Sequence, residues 1–86
     1  MVFDFDSQKS KTNKAKHGID FIEAQRLWNG KTLIINARSE TEPRFAVVGK
    51  IDNIFWTAFC TERYGKTRII SVRRSRGKEK IAYEKS

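Results

Sequence analysis

Histidine and cysteine are almost missing from this chain, which has one of each, His17 and Cys60. One histidine cannot supply the two-histidine acid–base pair of a pancreatic-type ribonuclease. One histidine and one cysteine are too few for a transition-metal site, which takes three or four ligands. The lone cysteine excludes an internal disulfide. Because Cys60 lies in the apolar run 55–60, we expect a small buried hydrophobe and not a nucleophile. The sequence predicts no metal and no cofactor.

Long apolar runs are also missing. No stretch approaches the roughly 20 apolar residues of a membrane span, and the N-terminus lacks the basic and then apolar order of a signal peptide. There is no phosphate-binding glycine-rich loop, no Gly-x-Ser-x-Gly and no clear helix–turn–helix spacing. The 86 residues fit one domain, residues 1–86. We expect a single cytoplasmic domain that does not contact a membrane.

Positive charge is abundant, with 18 Lys and Arg against 10 Asp and Glu and a formal net charge of +8. It forms two groups, one on residues 9–17 and one from Arg63 to the C-terminus. Such an excess on a small surface attracts polyanions, either nucleic acid or an acidic protein. The alternative is a solvated surface with no ligand, but the clustering favours anion binding.

The N-terminal third predicts a strand and two helices. Residues 2–6 alternate apolar and acidic side chains, as in a half-buried strand. Asp6 or Ser7 can cap a polar helix over residues 8–17, which ends at Gly18. Asp20 and Glu23 have the form of a capping box and open a second helix, which ends at Asn29-Gly30. Its predicted apolar face consists of Phe21, Ala24 and Trp28.

The rest of the chain predicts four strands and a terminal helix. The strands cover residues 32–35, 44–50, 54–61 and 67–73, a polar loop covers residues 38–43, and the tail 75–86 favours a helix. Asp52-Asn53 and Tyr64-Gly65 are predicted turns between these strands, and such short connections favour antiparallel hairpins. The predicted fold class is therefore α+β: an antiparallel meander sheet with N-terminal helices and a C-terminal helix. Strict alternation would place Arg73 on the face of Ile69 and Ser71, and Arg68 on the opposite face.

Three blocks of the sequence, in order, resemble the BrnT family. The first is Phe3-x-Phe5-Asp6-x-x-Lys9-x-x-x-Asn13-x-x-Lys16-His17-Gly18-Ile19-x-Phe21-x-x-Ala24; the second joins Glu42-x-Arg44, Gly49 and Thr61-Glu62-Arg63; the third joins Arg68-Ile69-Ile70-Ser71-x-Arg73 and Glu79-x-x-x-Tyr83-Glu84. Each block is weak alone, but together they span nearly the whole chain. The sequence departs from the family pattern at Phe5, where Trp is usual, and at Val72 and Ser75, where Ala is usual.

The resemblance implies a RelE-like fold and a metal-independent ribonuclease that arrests translation as the toxin of a type II toxin–antitoxin pair. It also implies a BrnA-type antitoxin, which binds the toxin and alone contacts operator DNA. The resemblance thus implies RNA as the substrate. Two alternatives are a non-catalytic nucleic-acid-binding module and a subunit whose basic face serves only an acidic partner.

Arginines at strand ends are the first candidates for the site, because guanidinium groups bind phosphate bidentately and stabilise charge on its oxygens. The candidate catalytic residues are Arg44, Arg63 and Arg73, with Glu62 and Glu79 as general bases. The alternative for each arginine is a surface salt bridge to Glu42, Glu62 or Glu79. The candidate RNA-binding residues are Lys9, Lys16, His17, Arg68, Arg74 and Tyr83. For His17 the alternative is a bond to the helix end, and for Tyr83 it is docking of the last helix.

Overall fold

The chain folds around a five-stranded sheet. A computed structural model describes residues 1–37 and 42–86. The elements are β1 (Phe3–Phe5), α1 (Ser7–His17), α2 (Phe21–Ala24), a 3₁₀ helix (Gln25–Asn29), β2 (Leu33–Ala37), β3 (Arg44–Ile51), β4 (Ile54–Arg63), β5 (Lys66–Arg74) and α3 (Gly77–Lys85). Across the sheet the strands lie in the order β1-β5-β4-β3-β2. Within the described ranges no helix has the length and apolar character needed to cross a membrane.

The predicted helix boundaries are confirmed at their caps. The Asp6 carboxylate accepts a hydrogen bond from the Lys9 backbone N–H, and Gly18 ends α1 with a left-handed φ of 81°. Asp20 and Glu23 form a reciprocal capping box at α2. The second predicted helix is α-helical for only four residues and continues as the 3₁₀ helix. The last predicted helix is also present, and α3 has no fully buried residue.

Two tight turns set the register of the last three strands. Asp52 and Asn53 both have positive φ, as do Tyr64 and Gly65. Two-residue turns of this kind match the twist of antiparallel strands. They join β3 to β4 and β4 to β5, as predicted. Of the predicted loop 38–43, residues 38–41 lie outside the described residues, and Pro43 leads directly into β3.

The predicted all-antiparallel meander is wrong at one strand. Strands β2 to β5 form the meander, but β1 pairs in parallel with β5 through Phe3–Thr67, Asp4–Arg68 and Phe5–Ile69. The chain crosses from one edge of the sheet to the other through the N-terminal helices. Alternation identifies β1 as a strand but carries no information about its partner, and the sheet is therefore mixed.

The predicted alternation along β5 is also wrong, because β5 contains a bulge. Phe59 of β4 faces Ser71, and the next residue, Cys60, faces Ile69, so Ile70 has no direct partner. An inserted residue reverses the alternation beyond it. Ile69 and Val72 consequently both enter the core, and by register Arg68 and Arg73 share the opposite face.

The core lies between the sheet and the helices α1 and α2 with the 3₁₀ helix. Phe21, Ala24 and Leu27 of the helical segment are fully buried against the sheet. Trp56 belongs to this core, and Trp28, on the predicted apolar face of the second helix, is partly buried and packs on it. Gly49 permits the close approach, because a Cβ there would lie 3.1 Å from a methyl carbon of Leu27. The opposite face of the sheet is free of α1 and α2, and α3 contacts it through Glu79 and Tyr83.

Candidate nucleic-acid interface

Four arginines share the sheet face opposite to α1 and α2. Arg44 and Arg68 are both register partners of Thr61, from β3 and β5. Arg73 is the partner of Thr57, and Arg63 lies two residues beyond Thr61 on β4. Directly paired residues point to the same side of a sheet, and so do residues two apart along a strand. We call this surface the arginine face, defined by Arg44, Arg63, Arg68 and Arg73.

Arg73 is the most firmly held of the four. Its Nη1 and Nη2 donate to the two carboxylate oxygens of Glu79, each at 2.8 Å. Glu79 also accepts from the Thr57 hydroxyl and from the Arg76 backbone N–H, which opens α3. The bond to Arg73 is the largest cause of a low pKa of Glu79, which falls from 4.5 to about 2. The pair therefore fixes one guanidinium on the face and anchors α3 to the sheet.

Glu42 lies between two arginines. Its carboxylate oxygens are 3.0 Å from an Arg63 nitrogen and 3.9 Å from an Arg44 nitrogen. The Arg44 Nε atom is buried and has no hydrogen-bond partner among the described residues. Arg44 and Arg63 therefore do form the salt bridges that were the alternative to phosphate binding. Exposed ion pairs of this kind contribute only about 0–1 kcal/mol and can be exchanged for another anion.

The fourth arginine pairs with the edge strand. Arg68 Nη1 donates to a carboxylate oxygen of Asp4 at 2.7 Å. This hydrogen bond lowers the pKa of Asp4. Asp4 was predicted only as part of the alternation of β1, because nothing in the sequence indicated the parallel pairing that brings it beside Arg68.

An aromatic side chain lies inside the arginine face. The guanidinium carbon of Arg73 is 5.0 Å from the centre of the Phe59 ring. Phe59 is partly exposed, and planar groups can stack on such a ring. Phe59 and Thr57 were not predicted as site residues, because their place beside Arg73 follows from the alternation within β4 only after the register with β5 is known.

Helix α3 covers one end of this sheet face. Tyr83 meets the ring of Phe55 edge to face, with centroids 5.4 Å apart, and its hydroxyl donates to the Lys31 carbonyl oxygen. The Lys31 ammonium lies 5.0 Å from the Tyr83 ring centre. Tyr83 thus makes the docking contacts that were the alternative to RNA binding.

The basic residues of α1 lie beside the other edge of β5. Lys9, Lys16 and His17 are exposed and line a groove of ~250 Å³ together with Ile70 and Ser71. Ser71 is the register partner of Phe59, so this α1 groove adjoins the arginine face. Asn13, on the same side of α1, is buried and donates to the carbonyl oxygens of Ile19 and Val72. It also accepts from the Val72 N–H, and so ties α1 to β5.

Two predicted site residues point away from the arginine face. Glu62 is the register partner of Thr67 on the helix side, and it accepts a bond from the Thr67 hydroxyl at 3.3 Å. Arg74 is the register partner of Trp56 and lies over its ring at 5.6 Å. The fold therefore brings together Arg44, Arg63, Arg73 and Glu79 with Arg68, but not Glu62 or Arg74.

Neither a metal cluster nor a reactive thiol is present in the described part of the chain. No group of three or more His, Cys, Asp or Glu side chains there is placed to hold a metal ion. Cys60 is a free and buried thiol, as predicted. Burial raises its pKa to about 12, which keeps it protonated near neutrality.

Fold and surface together define a small basic α+β protein that presents guanidinium groups and an aromatic ring on one face of a sheet. Over residues 5–79 the chain matches the family described as the ribonuclease toxin BrnT of type II toxin–antitoxin systems. The chain belongs to this family, and the expected resemblance is confirmed. No curated protein matches the chain. Membership implies an RNA target and an antitoxin protein as partner.

Proposed function

We propose that this toxin is an endoribonuclease that holds the scissile phosphate of RNA on the arginine face and cleaves it without a metal ion. The observation that carries the proposal is the convergence of Arg44, Arg63, Arg68 and Arg73 on one sheet face. The positive charge that a metal would bring to the phosphate comes from these guanidinium groups.

Binding begins with an exchange of anions. In the free chain, Arg63 is paired with Glu42 and Arg68 with Asp4, and both ion pairs are partly exposed. A phosphodiester carries its charge on two oxygens and accepts the same bidentate geometry from arginine. Arg44, whose terminal guanidinium nitrogen lies 3.9 Å from Glu42, adds a further cation to this surface. Charge that develops on the phosphate oxygens in the transition state is stabilised by donors already in place.

Glu79 acts on Arg73 as a positioning residue. A carboxylate with a pKa of about 2 is a weak base near neutrality, and both of its oxygens already accept bonds from Arg73. Glu62 lies on the other side of the sheet. We therefore assign neither carboxylate to proton abstraction, and we assign the catalytic contribution of this face to phosphate binding and electrostatic stabilisation.

The α1 groove extends the path for RNA. Lys9, Lys16 and His17 line a groove next to Ser71, which is the register partner of Phe59. Flanking phosphates bound there would place the chain across Phe59, where a base can stack. Arg74 and Tyr83 are secondary candidates for RNA contact, because Arg74 lies on the other sheet face and Tyr83 is engaged in docking α3.

In the cell, the free toxin would inhibit translation in the cytoplasm by cutting RNA. A BrnA-type antitoxin would neutralise it and would bring the only contact with operator DNA. Complementarity between a chain of net charge +8 and an acidic antitoxin segment supports this assignment. We also propose that the fold is of the RelE-like type.

Expression in bacterial cells tests the proposal. The wild-type chain arrests growth and degrades cellular RNA, whereas Arg63→Ala and Arg73→Ala permit growth. Arg26→Ala is the matched control, since Arg26 also holds a carboxylate, that of Asp52, but lies on the 3₁₀ helix; it retains the arrest. Persistent arrest by every folded arginine-face variant would overturn the proposed site.

A further inference from the structure

Strand β2 is an edge of the sheet without the protection that edges usually have. Among the described residues, its hydrogen-bonded neighbour is β3, on one side. The segment Leu33–Ala37 reads Leu-Ile-Ile-Asn-Ala and contains neither a charged residue nor a proline. Natural proteins normally place Lys, Pro or a bulge on an open edge, because free backbone N–H and C=O groups there recruit another strand. An unprotected edge indicates a strand-pairing site.

Both faces of β2 expose apolar side chains. Ile34, which points to the helix side, is 60 % exposed, and Ile35, which points to the opposite side, is 36 % exposed. On the helix side, Ile34 lines a mainly apolar groove of ~280 Å³ with Trp28 and Phe45; Glu62 also lines it and accepts a hydrogen bond from Thr67. An added strand would therefore find both backbone partners and an apolar recess for one of its alternate side chains.

The positive charge near β2 indicates which kind of strand can pair with this edge. Lys31 precedes the strand, and Arg44 is the register partner of its last residue, Ala37. A second copy of this chain would bring another net charge of +8 to the same edge. An acidic segment would be attracted instead. The family supplies such a candidate, since a type II toxin has an antitoxin protein as partner.

We propose that β2 binds an extended, acidic segment of the antitoxin as a sixth strand of the sheet, with one apolar side chain of that segment in the groove beside Ile34. The inference goes beyond the proposed ribonuclease function and does not depend on the assignment of the arginine face. An acidic side chain of the added strand next to Ala37 would lie beside Arg44, so the same segment can approach the arginine face.

A charge placed on the edge tests the proposal. In Ile34→Glu, a carboxylate replaces the apolar side chain and repels an acidic segment, and affinity for the purified antitoxin, measured by titration calorimetry, falls at least tenfold. The matched control is Ile22→Glu, because Ile22 is 65 % exposed but lies on α2; it keeps wild-type affinity. Growth arrest by Ile34→Glu in the absence of antitoxin separates this test from that of the ribonuclease site.

Hydrogen exchange of the wild-type complex gives an independent readout that does not depend on a variant. Amides within residues 33–37 that exchange in the free chain become protected when antitoxin binds. Unchanged exchange in this segment, or equal affinities of both glutamate variants and the wild type, would overturn the proposal. A concentration-dependent dimer of the free chain that is lost in Ile34→Glu would assign the edge to a second copy and would overturn it as well.

Discussion

The guanidinium of Arg73 and the carboxylate of Glu79 form two parallel hydrogen bonds of 2.8 Å that join the sheet to α3. Both side chains are largely shielded, with 22 % and 17 % of their side-chain surface exposed. Glu79 also caps α3 through the Arg76 N–H and accepts from Thr57. One carboxylate thus holds a proposed phosphate-binding residue in place and fixes the helix that covers the end of the arginine face.

Loss of the Glu79 charge is expected to change how stability depends on pH. Because the folded state lowers the pKa of Glu79 from 4.5 to about 2, its contribution is complete above about pH 5 and disappears as the pH falls towards 2. Near neutrality Glu79→Gln should lower the free energy of unfolding by roughly 1–2 kcal/mol, after allowance for solvent screening. Urea denaturation between pH 2 and pH 7 measures this difference.

Glu84→Gln is the control for that experiment. Glu84 lies on the same helix and is exposed, so its substitution is expected to change stability by less than ~0.5 kcal/mol across the range. A stability loss in Glu79→Gln that persists unchanged at pH 2 would show that lost packing, and not the ion pair, is responsible.

Asn13 is expected to be the most sensitive polar residue of α1. Its amide satisfies both backbone groups of Val72 and the carbonyl oxygen of Ile19 in a buried setting. Asn13→Ala leaves these groups without partners and should cost about 2–4 kcal/mol. Asn13→Asp should be at least as damaging, because a carboxylate cannot donate and its charge is buried. Thermal or urea unfolding measures both, and Asn29→Ala, at an exposed position, should cost less than ~0.5 kcal/mol. Equal stability of Asn13→Ala and the wild type would contradict this role.

Local signals in the sequence predicted most elements of the fold. The caps at Asp6 and Asp20 and the turns at Asp52-Asn53 and Tyr64-Gly65 depend on nearby residues, and all four are confirmed. The parallel pairing of β1 with β5 was missed because its partners lie more than sixty residues apart. The bulge at Ile70 was missed because it arises from the pairing of β4 with β5 and not from the composition of β5.

The candidate site also combines local features, which the sequence shows, with long-range pairing, which it does not. Arginines near strand ends can be identified from the sequence, but whether they share a face depends on register. The bulge places Arg68 and Arg73 on one face, where strict alternation placed them apart. The sequence likewise offered Glu62 and Glu79 as equivalent carboxylates, and only the fold separates them, with Glu79 at Arg73 and Glu62 at Thr67.

The salt dependence of RNA affinity is expected to report how many phosphates the protein neutralises. For single-stranded RNA, each neutralised phosphate contributes about 0.7 to the slope of log affinity against log salt concentration. Arg63→Ala should therefore lower the slope by roughly 0.7 and weaken binding irrespective of RNA sequence. Fluorescence anisotropy at several salt concentrations measures the slope, with Arg26→Ala unchanged. Equal slopes for Arg63→Ala and the wild type would remove Arg63 from the interface.

Cys60 is expected to be unreactive in the folded chain. Its thiol is buried, and burial raises its pKa to about 12, so almost no thiolate is present at pH 8. A thiol reagent added at that pH should modify the protein only after denaturant unfolds it, as mass spectrometry would show. Rapid labelling of the native protein would contradict the buried position.

Metal-independent cleavage on the arginine face is tested by incubating a labelled RNA with the purified chain in excess chelator, with the Arg63→Ala and Arg26→Ala variants alongside. We expect the wild type and Arg26→Ala to cut the RNA, and folded Arg63→Ala to cut it at least a hundredfold more slowly. Wild-type cleavage that the chelator abolishes would show that a metal ion is needed, and an Arg63→Ala variant as active as the wild type would remove Arg63 from the catalytic site.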